Sequence, residues 1–426
     1  MADQVTVGLD FGTHQTKICI EEVDNSIRKY KFCKFKKLSG ECSFTLPSII
    51  NIGIDGCLNY GFIPQDKKNR IIRYFKPALF EPQKYNHLSS TEARYFSIWY
   101  ITFLLFKLEE MYPELFAIQM GAPTDASTSK FVKRAATQVL LTSYRLVEEV
   151  FNHDIEEFLN TKYEDLIKIT KENEVKYSDS LKEEYSILIF PEAYACLKPL
   201  TSQKKLDEKM SLMVDIGGGT TDISFFCLEN GQPSVYRYWS INKGLNYLTN
   251  VDINDYDPRE DSNVKSEAQI NKYLLDNFFT DIKTSCTNLV LDLKKMLIKQ
   301  TDEPVSKLDA ALRNRPVIFT GGGSYFPKLT QPINSFKEVN IISGIYWNKK
   351  EVVDIKEIEN SNLFGLLSTA YGLAISENSD NIVLKPFEDF FELIRRDHLM
   401  HRRNEWSGGK GLFEGYDHGL DYDAYK

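Results

Sequence analysis

SLMVDIGGGTTDISFF, residues 211–226, sets three consecutive glycines, Gly217, Gly218 and Gly219, between an apolar run and a second, alternating run. Asp215 and Asp222 bracket them. Glycine loses more backbone freedom on folding than any other residue, so a triplet at a strand boundary needs a cause. A tight hairpin is one cause. The other is a backbone that approaches phosphate closely, because successive amide N–H groups in a glycine turn form a concave nest for anionic oxygen. One such turn does not separate the two.

The same layout occurs near the N-terminus. VTVGLD (5–10) and TKICIEE (16–22) read as two strands joined by the turn FGTHQ, and SLMVDI and TTDISFFCL repeat it some two hundred residues later. Each copy is an apolar strand ending in Asp, Asp10 or Asp215, then a glycine-bearing turn and a return strand. Two duplicated turns are far more specific than one. Facing each other across a cleft, they can grip a phosphate chain from both sides, with both Asp residues converging on a divalent cation. Mg²⁺ suits that arrangement because it keeps most of its waters and takes few direct carboxylates. A third glycine run, VIFTGGGSYFP (317–327), follows another apolar strand.

Between these hairpins the pattern alternates. Residues 92–111 and 125–150 read as helices with the strand LFAIQMGAP between them, and YSILIF (185–190) is a strand followed by the helix start PEAYACL. Residues 263–300 carry a long helical pattern, and LFGLLSTAYGLAIS (363–376) is a helix of small residues able to pack closely on a sheet. Residues 151–184, rich in Lys, Glu, Asp and Asn, read as a solvated, partly helical insertion. Strands alternating with helices predict an α/β class.

With 426 residues the chain is long enough for two or three cores. A net charge of −8 argues against a large nucleic-acid footprint. The seven cysteines are scattered singly, with no C-x-x-C pair, as expected of reduced residues in a cytoplasmic protein. YFSIWYITFLLF (95–106) is too short to span a bilayer, so no membrane role is expected and a buried helix is. Apolar Phe387, Phe390, Phe391 and Ile394 predict an amphipathic helix within 377–426, followed by a glycine-rich tail suited to contacting a protein partner.

Five segments together resemble the actin, sugar-kinase and heat-shock-70 ATPase superfamily, nearest the nucleotide-binding domain of the DnaK-type chaperones but without their substrate-binding domain. VGLDFGTHQTKICI resembles the first phosphate motif and VDIGGGTTDIS the second. FPEAYACL and GLLSTAYGLAIS resemble the two connecting motifs, and FTGGGSYFPKL the adenosine motif. They stand in the family's order and cover roughly residues 5–376. The resemblance implies two ribonuclease-H-like α/β domains facing across a nucleotide cleft. Residues 1–195 would form the first, carrying the insertion 151–184, and residues 196–376 the second. Its last helix would pack back on the first, with 377–426 as helix and tail.

The resemblance also implies site residues. Asp10 and Asp215 would position Mg²⁺ through waters. Gly12, Thr13, His14 and Gln15 would line the first loop. Gly217, Gly218, Gly219 and Thr220 would line the second, with Asp222 beside it. Glu192 stands where the family orients or activates the attacking water. Lys76, in RIIRYFKPALF, and Lys17, seven residues after Asp10, are rival phosphate-binding lysines of DnaK-like and actin-like character. Gly321, Gly322, Gly323 and Tyr325 would flank adenine, with Lys294 and Lys295 opposite, near the ribose. The family's double glycine before the ribose is here Lys243-Gly244, and its adenine-side serine matches Ile298. The implied function is a Mg²⁺-dependent, slow ATPase that acts as a conformational switch on a protein partner, with ATP/ADP as ligand. The alternatives are a self-associating, polymerising actin-like cytoskeletal or segregation ATPase and a pseudo-ATPase that binds without turnover.

Overall fold

The computed structural model describes residues 4–36, 40–61, 69–83, 85–112, 116–123, 129–201, 210–229, 232–241, 243–248, 272–300, 306, 309, 312, 316–331, 338–341 and 347–378. The predicted C-terminal helix and tail lie outside these from residue 379 on.

The first hairpin is β1 (Gln4–Asp10) and β2 (Gln15–Asp24), and β3 (Ile27–Phe32) extends it antiparallel. Short strands follow: β4 (Phe35–Lys36), β5 (Cys42–Ser43), β6 (Leu46–Pro47), β7 (Ile50–Ile52), β8 (Leu58–Tyr60) and β9 (Arg70–Ile72). Then come α1 (Phe75–Phe80), α2 (Ser90–Met111), β10 (Ala117–Ala122) and α3 (Ser129–Arg145), which runs into a π-helical turn at Leu146–Val150. After α4 (Ile155–Asn160), α5 (Tyr163–Asn173) and α6 (Asp179–Glu184), β11 (Ile187–Pro191) leads straight into α7 (Glu192–Thr201). β10 and β11 join β1 in parallel, giving the sheet order β11-β10-β1-β2-β3, with β6 paired to β2.

The second half repeats this plan. β12 (Met210–Ile216), β13 (Thr221–Glu229) and β14 (Gln232–Ile241) form the antiparallel meander. α8 (Leu245–Leu248) and α9 (Lys272–Gln300) follow, then β15 (Pro316–Thr320) and β16 (Glu338–Ile341), which join β12 in parallel. The order is β14-β13-β12-β15-β16, strand for strand that of the first sheet. Two α/β lobes of ribonuclease-H-like topology therefore face each other, the fold class the resemblance implies.

The chain crosses between lobes at its two inner helices. α7 follows the first sheet but packs on β13 and β14. α10 (Ile355–Asn360) and α11 (Phe364–Ala374) follow the second sheet, yet α11 packs on β1, β2 and β10. Small residues permit this. A Cβ on Gly8 of β1 would lie 2.3 Å from the Ala374 amide, and one on Gly372 would lie 1.8 Å from the Ala195 carbonyl. One apolar cluster joins Cys19 and Phe32 of the first lobe to Met213, Phe226 and Ile318 of the second through α7 and α11. Separate outer cores lie under α2 and α3, and under α9.

Local chemistry sets the ends. Ser89 caps α2 in a reciprocal box with Glu92, the Ser89 hydroxyl accepting from the Glu92 amide at 3.2 Å. α2 is apolar on all sides because it is buried, as expected of 95–106. No helix among the described residues is long and apolar enough to cross a membrane. All seven cysteines are free, five of them buried.

The insertion 151–184 departs from expectation. It is not merely solvated: Phe151, Phe158, Leu166 and Thr170 are buried, and the Trp99 indole donates to Thr170 Oγ1 at 2.7 Å. Its apolar residues are few but converge on the outer face of α2.

Candidate functional site

Asp10 and Lys17 stand directly opposite each other in the β1–β2 register, and Asp215 and Asp222 do so in the β12–β13 register. The two hairpins present these ends to a cleft of about 560 Å³, within the ~300–1,000 Å³ typical of ligand sites. Gly12, Thr13, His14 and Gln15 line it from one lobe, and Gly217, Gly218, Gly219 and Thr220 from the other. Lys76, Glu192, Gly321, Gly322 and Tyr325 line it as well.

The glycines at the turns are dictated by close backbone approach. A Cβ on Gly12 would lie 2.1 Å from the Gln15 carbonyl. Gly321 has φ +76, and a Cβ there would meet Asp215 Oδ1 at 2.4 Å. A Cβ on Gly218 would meet the His14 side chain at 2.8 Å, and one on Gly219 would meet Thr13 Cγ2 at 3.2 Å. The two loops thus meet across the cleft, and side chains on the triplet would wedge them apart. Ser48 braces the first loop from behind, its hydroxyl donating to the Gly12 carbonyl at 2.7 Å. Gly217 closes the second by donating to the Thr220 carbonyl at 2.9 Å.

Charge is concentrated here. Lys17 Nζ pairs with Asp10 Oδ2 at 2.8 Å. Burial disfavours the Lys17 ammonium, but the carboxyls of Asp10, Asp215 and Glu192 together outweigh it and its pKa is raised. Lys76, 3% exposed, pairs with Glu192. Burial raises the Glu192 carboxyl against the pull of Lys76. Burial, then the like charge of Asp222, pushes Asp215 up to about 8 although Lys17 opposes it. Burial also raises Asp222, against hydrogen bonds from Tyr238 and Ser240. His14 is held neutral: burial, then Arg73 and Lys17, lower it to about 3.

Asp10, Glu192, Asp215 and Asp222 face Lys17 and Lys76, and burial pushes three of the four carboxyls up, so a cation entering the cleft would favour their ionisation. Among the described residues no group of three or more His, Cys, Asp or Glu is placed to hold a metal ion. An ion held between Asp10 and Asp215 would be carried mainly by waters and ligand phosphates, as Mg²⁺ can be, rather than by a closed protein cage.

A pH dependence follows. Asp215 has a folded pKa raised from 3.8 to about 8, so its contribution to stability is full below the unfolded value and is lost as pH rises through about 8. The ligand-free protein is expected to melt at progressively lower temperature between pH 5 and about 8. Asp215→Asn should flatten that slope in thermal melts. An unchanged slope would show that Asp215 is not held protonated.

Beyond the two glycine loops, the cleft wall is Leu245, Phe326, Pro327, Leu363, Leu366 and Thr369, with Ser361, Asn362 and Gly365. The Gly365 amide donates to the Tyr325 hydroxyl at 2.5 Å, so the ring is fixed against the start of α11. The sequence reads 363–376 as a close-packing helix and a connecting motif, with no site residue in it. The available signal was the i, i+4 pair Gly365 and Thr369 on one face of it.

Four expected residues do not line the cleft. Gly244 and Gly323 pack behind it: a Cβ on the first would lie 2.5 Å from the Gly218 carbonyl, and one on the second 2.2 Å from Ile216 Cγ2. Lys294 pairs with Asp309 at 2.6 Å, and Lys295, 70% exposed, pairs with Asp292. Ile298 is likewise 63% exposed. None of these α9 residues is among those lining the cleft.

No family model matches the chain, and no curated protein does. Among solved structures it is similar to MreB 5 of Spiroplasma citri, crystallised with AMPPNP, at 14% identity and a TM-score of 0.41, covering 96% of this chain and 100% of that one. A likeness this distant carries no functional argument. The case rests on the duplicated topology and the cleft.

Proposed function

We propose that the chain binds Mg²⁺ with ATP or ADP between its two hairpin loops and hydrolyses ATP slowly, with lobe closure as its output. One observation supports this most: two equivalent Asp-ended hairpins, from two lobes of equal topology, line one cleft. In this reading Asp10 and Asp215 hold Mg²⁺ through waters, and the ion neutralises phosphate charge. Loop amides and lysines cradle the phosphates, Glu192 orients water, and Tyr325 flanks the base. Both rival lysines, Lys17 and Lys76, line the cleft, so in this reading both contact phosphate. Each must exchange its carboxylate for a phosphate oxygen. The free cysteines suit a reducing compartment such as the cytoplasm.

Of the two outputs, self-assembly of the actin type and a partner switch of the DnaK type, we favour the first. The residue that carries the actin-like character, Lys17, stands within the duplicated hairpin itself, directly opposite Asp10. Light scattering that rises with protein concentration only in Mg·ATP supports assembly; its absence favours the partner switch.

The binding claim is tested by melting. Mg·ATP at 100 times its Kd should stabilise the fold by about 2.7 kcal/mol. No shift at millimolar Mg·ATP, with calorimetry also silent, would remove the proposal. Mg·GTP is the comparison that sets purine preference.

A further inference from the structure

We propose that Tyr238 is a positioning residue for Asp222, placed there by a β-bulge in β14. The inference rests on the hydrolytic reading above. It begins from a difference between the two hairpins. In the first, the residue opposite the strand-end Asp is held by that Asp, as Lys17 is by Asp10. In the second, the residue opposite Asp215 is another carboxylate, Asp222. Two carboxyls directly opposite across a strand pair offer each other no ammonium of the kind that pairs with Asp10, so the side-chain donor that fixes Asp222 comes from elsewhere.

The neighbouring strand supplies it. In the first lobe β3 stops at the pair Cys19–Phe32, short of Lys17. In the second, β14 runs on to the pair Thr221–Ile241, past Asp222. Within that extension Ser240 stands opposite Asp222 and Tyr238 opposite Ser224. Tyr238 is thus the diagonal neighbour of Asp222 on one face, and its hydroxyl donates to Asp222 Oδ1 at 2.6 Å. That length is typical of a charge-assisted O–H···O⁻ bond.

The phase of β14 depends on one inserted residue. Phe226 pairs with Val235 but Phe225 pairs with Arg237, so Tyr236 is the extra residue of a bulge. Side chains alternate faces along a strand, so a one-residue slip exchanges the two sets. In the register below the bulge, Trp239 would oppose Asp222 and Arg237 would oppose Ser224. The bulge puts Ser240 and Tyr238 there instead. Arg237 and Trp239 go to the other face, where both are exposed, Trp239 by 56%. A long exposed tryptophan edge is the cost of that exchange, which points to a purpose at Asp222. Asp222 lines the cleft on the lobe opposite Glu192 and Lys76. A carboxylate there orients water or substrate only if its own rotamer is fixed.

The test uses the full chain and steady-state hydrolysis of Mg·ATP. Tyr238→Phe keeps the ring and removes the hydroxyl. It should lower kcat roughly 10-fold, the lower end of what removing such a supporting contact costs, with KM and the calorimetric affinity for Mg·ADP unchanged. Asp222→Asn should lower kcat at least as far, and adding Tyr238→Phe to it should cost nothing more, since the two act as one unit. Wild-type kcat in Tyr238→Phe or Asp222→Asn, or an equal further loss in the double variant, overturns the inference while leaving nucleotide binding intact. A wild type that binds Mg·ADP but does not turn over ATP also overturns it. Absence of Mg·ADP binding overturns the functional reading itself.

Discussion

Glu192→Gln lowers ATP hydrolysis by roughly 100-fold while Mg·ATP still binds; that is the expected result, set by the ordinary worth of a positioned acid–base group. Glu192 opens α7 immediately after β11, at the point where the parallel edge of the first sheet meets the cleft. Its backbone is fixed by the sheet, and its carboxylate is held by Lys76. Glutamine is the informative replacement. Alanine would leave Lys76, 3% exposed, without its partner, and stranding a buried charge costs about 3–5 kcal/mol. A slow alanine variant would confuse lost chemistry with lost fold. Calorimetry with Mg·ATP and single-turnover hydrolysis separate the two for glutamine. Hydrolysis at the wild-type rate removes the role assigned to Glu192.

The second large effect is on stability. Gly372→Ala places a Cβ 1.8 Å from the Ala195 carbonyl oxygen and 2.7 Å from its carbon. Both are backbone atoms, so no rotamer change relieves the clash and the crossing of α7 and α11 must open. Overpacking typically costs about 1–3 kcal/mol, and a backbone clash belongs at or above the top of that range. The loss should reach the cleft, because α7 carries Glu192 and α11 carries Thr369. Gly322→Ala is the comparison: its Cβ would meet Leu245 Cδ1 at 3.3 Å, a side-chain atom able to shift. Denaturation of the two ligand-free variants checks this. A Gly372→Ala melting curve that overlays the wild type would falsify the close crossing.

The glycine-loop end of the cleft was legible because chemistry and periodicity coincide there. An apolar strand, a terminal Asp, glycines and a return strand occur twice, and each feature alone is weak. In the first lobe the helices at 92–111 and 125–150 and the strands LFAIQMGAP and YSILIF were legible too, whereas its short strands were not, for physical reasons. β4 to β9 are two or three residues long, too short for any alternation to register. β3 reads IRKYKF, burying only Tyr30 and Phe32 while Ile27 is 63% exposed. In 151–184 the charged majority hid Phe151, Phe158 and Leu166. The wall beyond Tyr325 comes from three separated segments, around Leu245, Phe326 and Leu363, that share no spacing in the sequence. Lys294 and Lys295 were carried over by resemblance alone, and helix phase turns them toward Asp309 and Asp292 instead. Tyr238 had no signal at all, since its approach to Asp222 depends on the register slip between Phe225 and Phe226.

The central claim is that one polyphosphate chain is held between two copies of the same hairpin. A crystal structure of the full chain with Mg·AMPPNP tests it most directly. Phosphate oxygens are expected within about 3.2 Å of backbone amides from both loops, 12–15 and 217–220. The ion is expected between Asp10 and Asp215, with Lys17 and Lys76 moved from their carboxylates onto phosphate. Nucleotide bound elsewhere, or phosphates touching the loop of one lobe only, would contradict it.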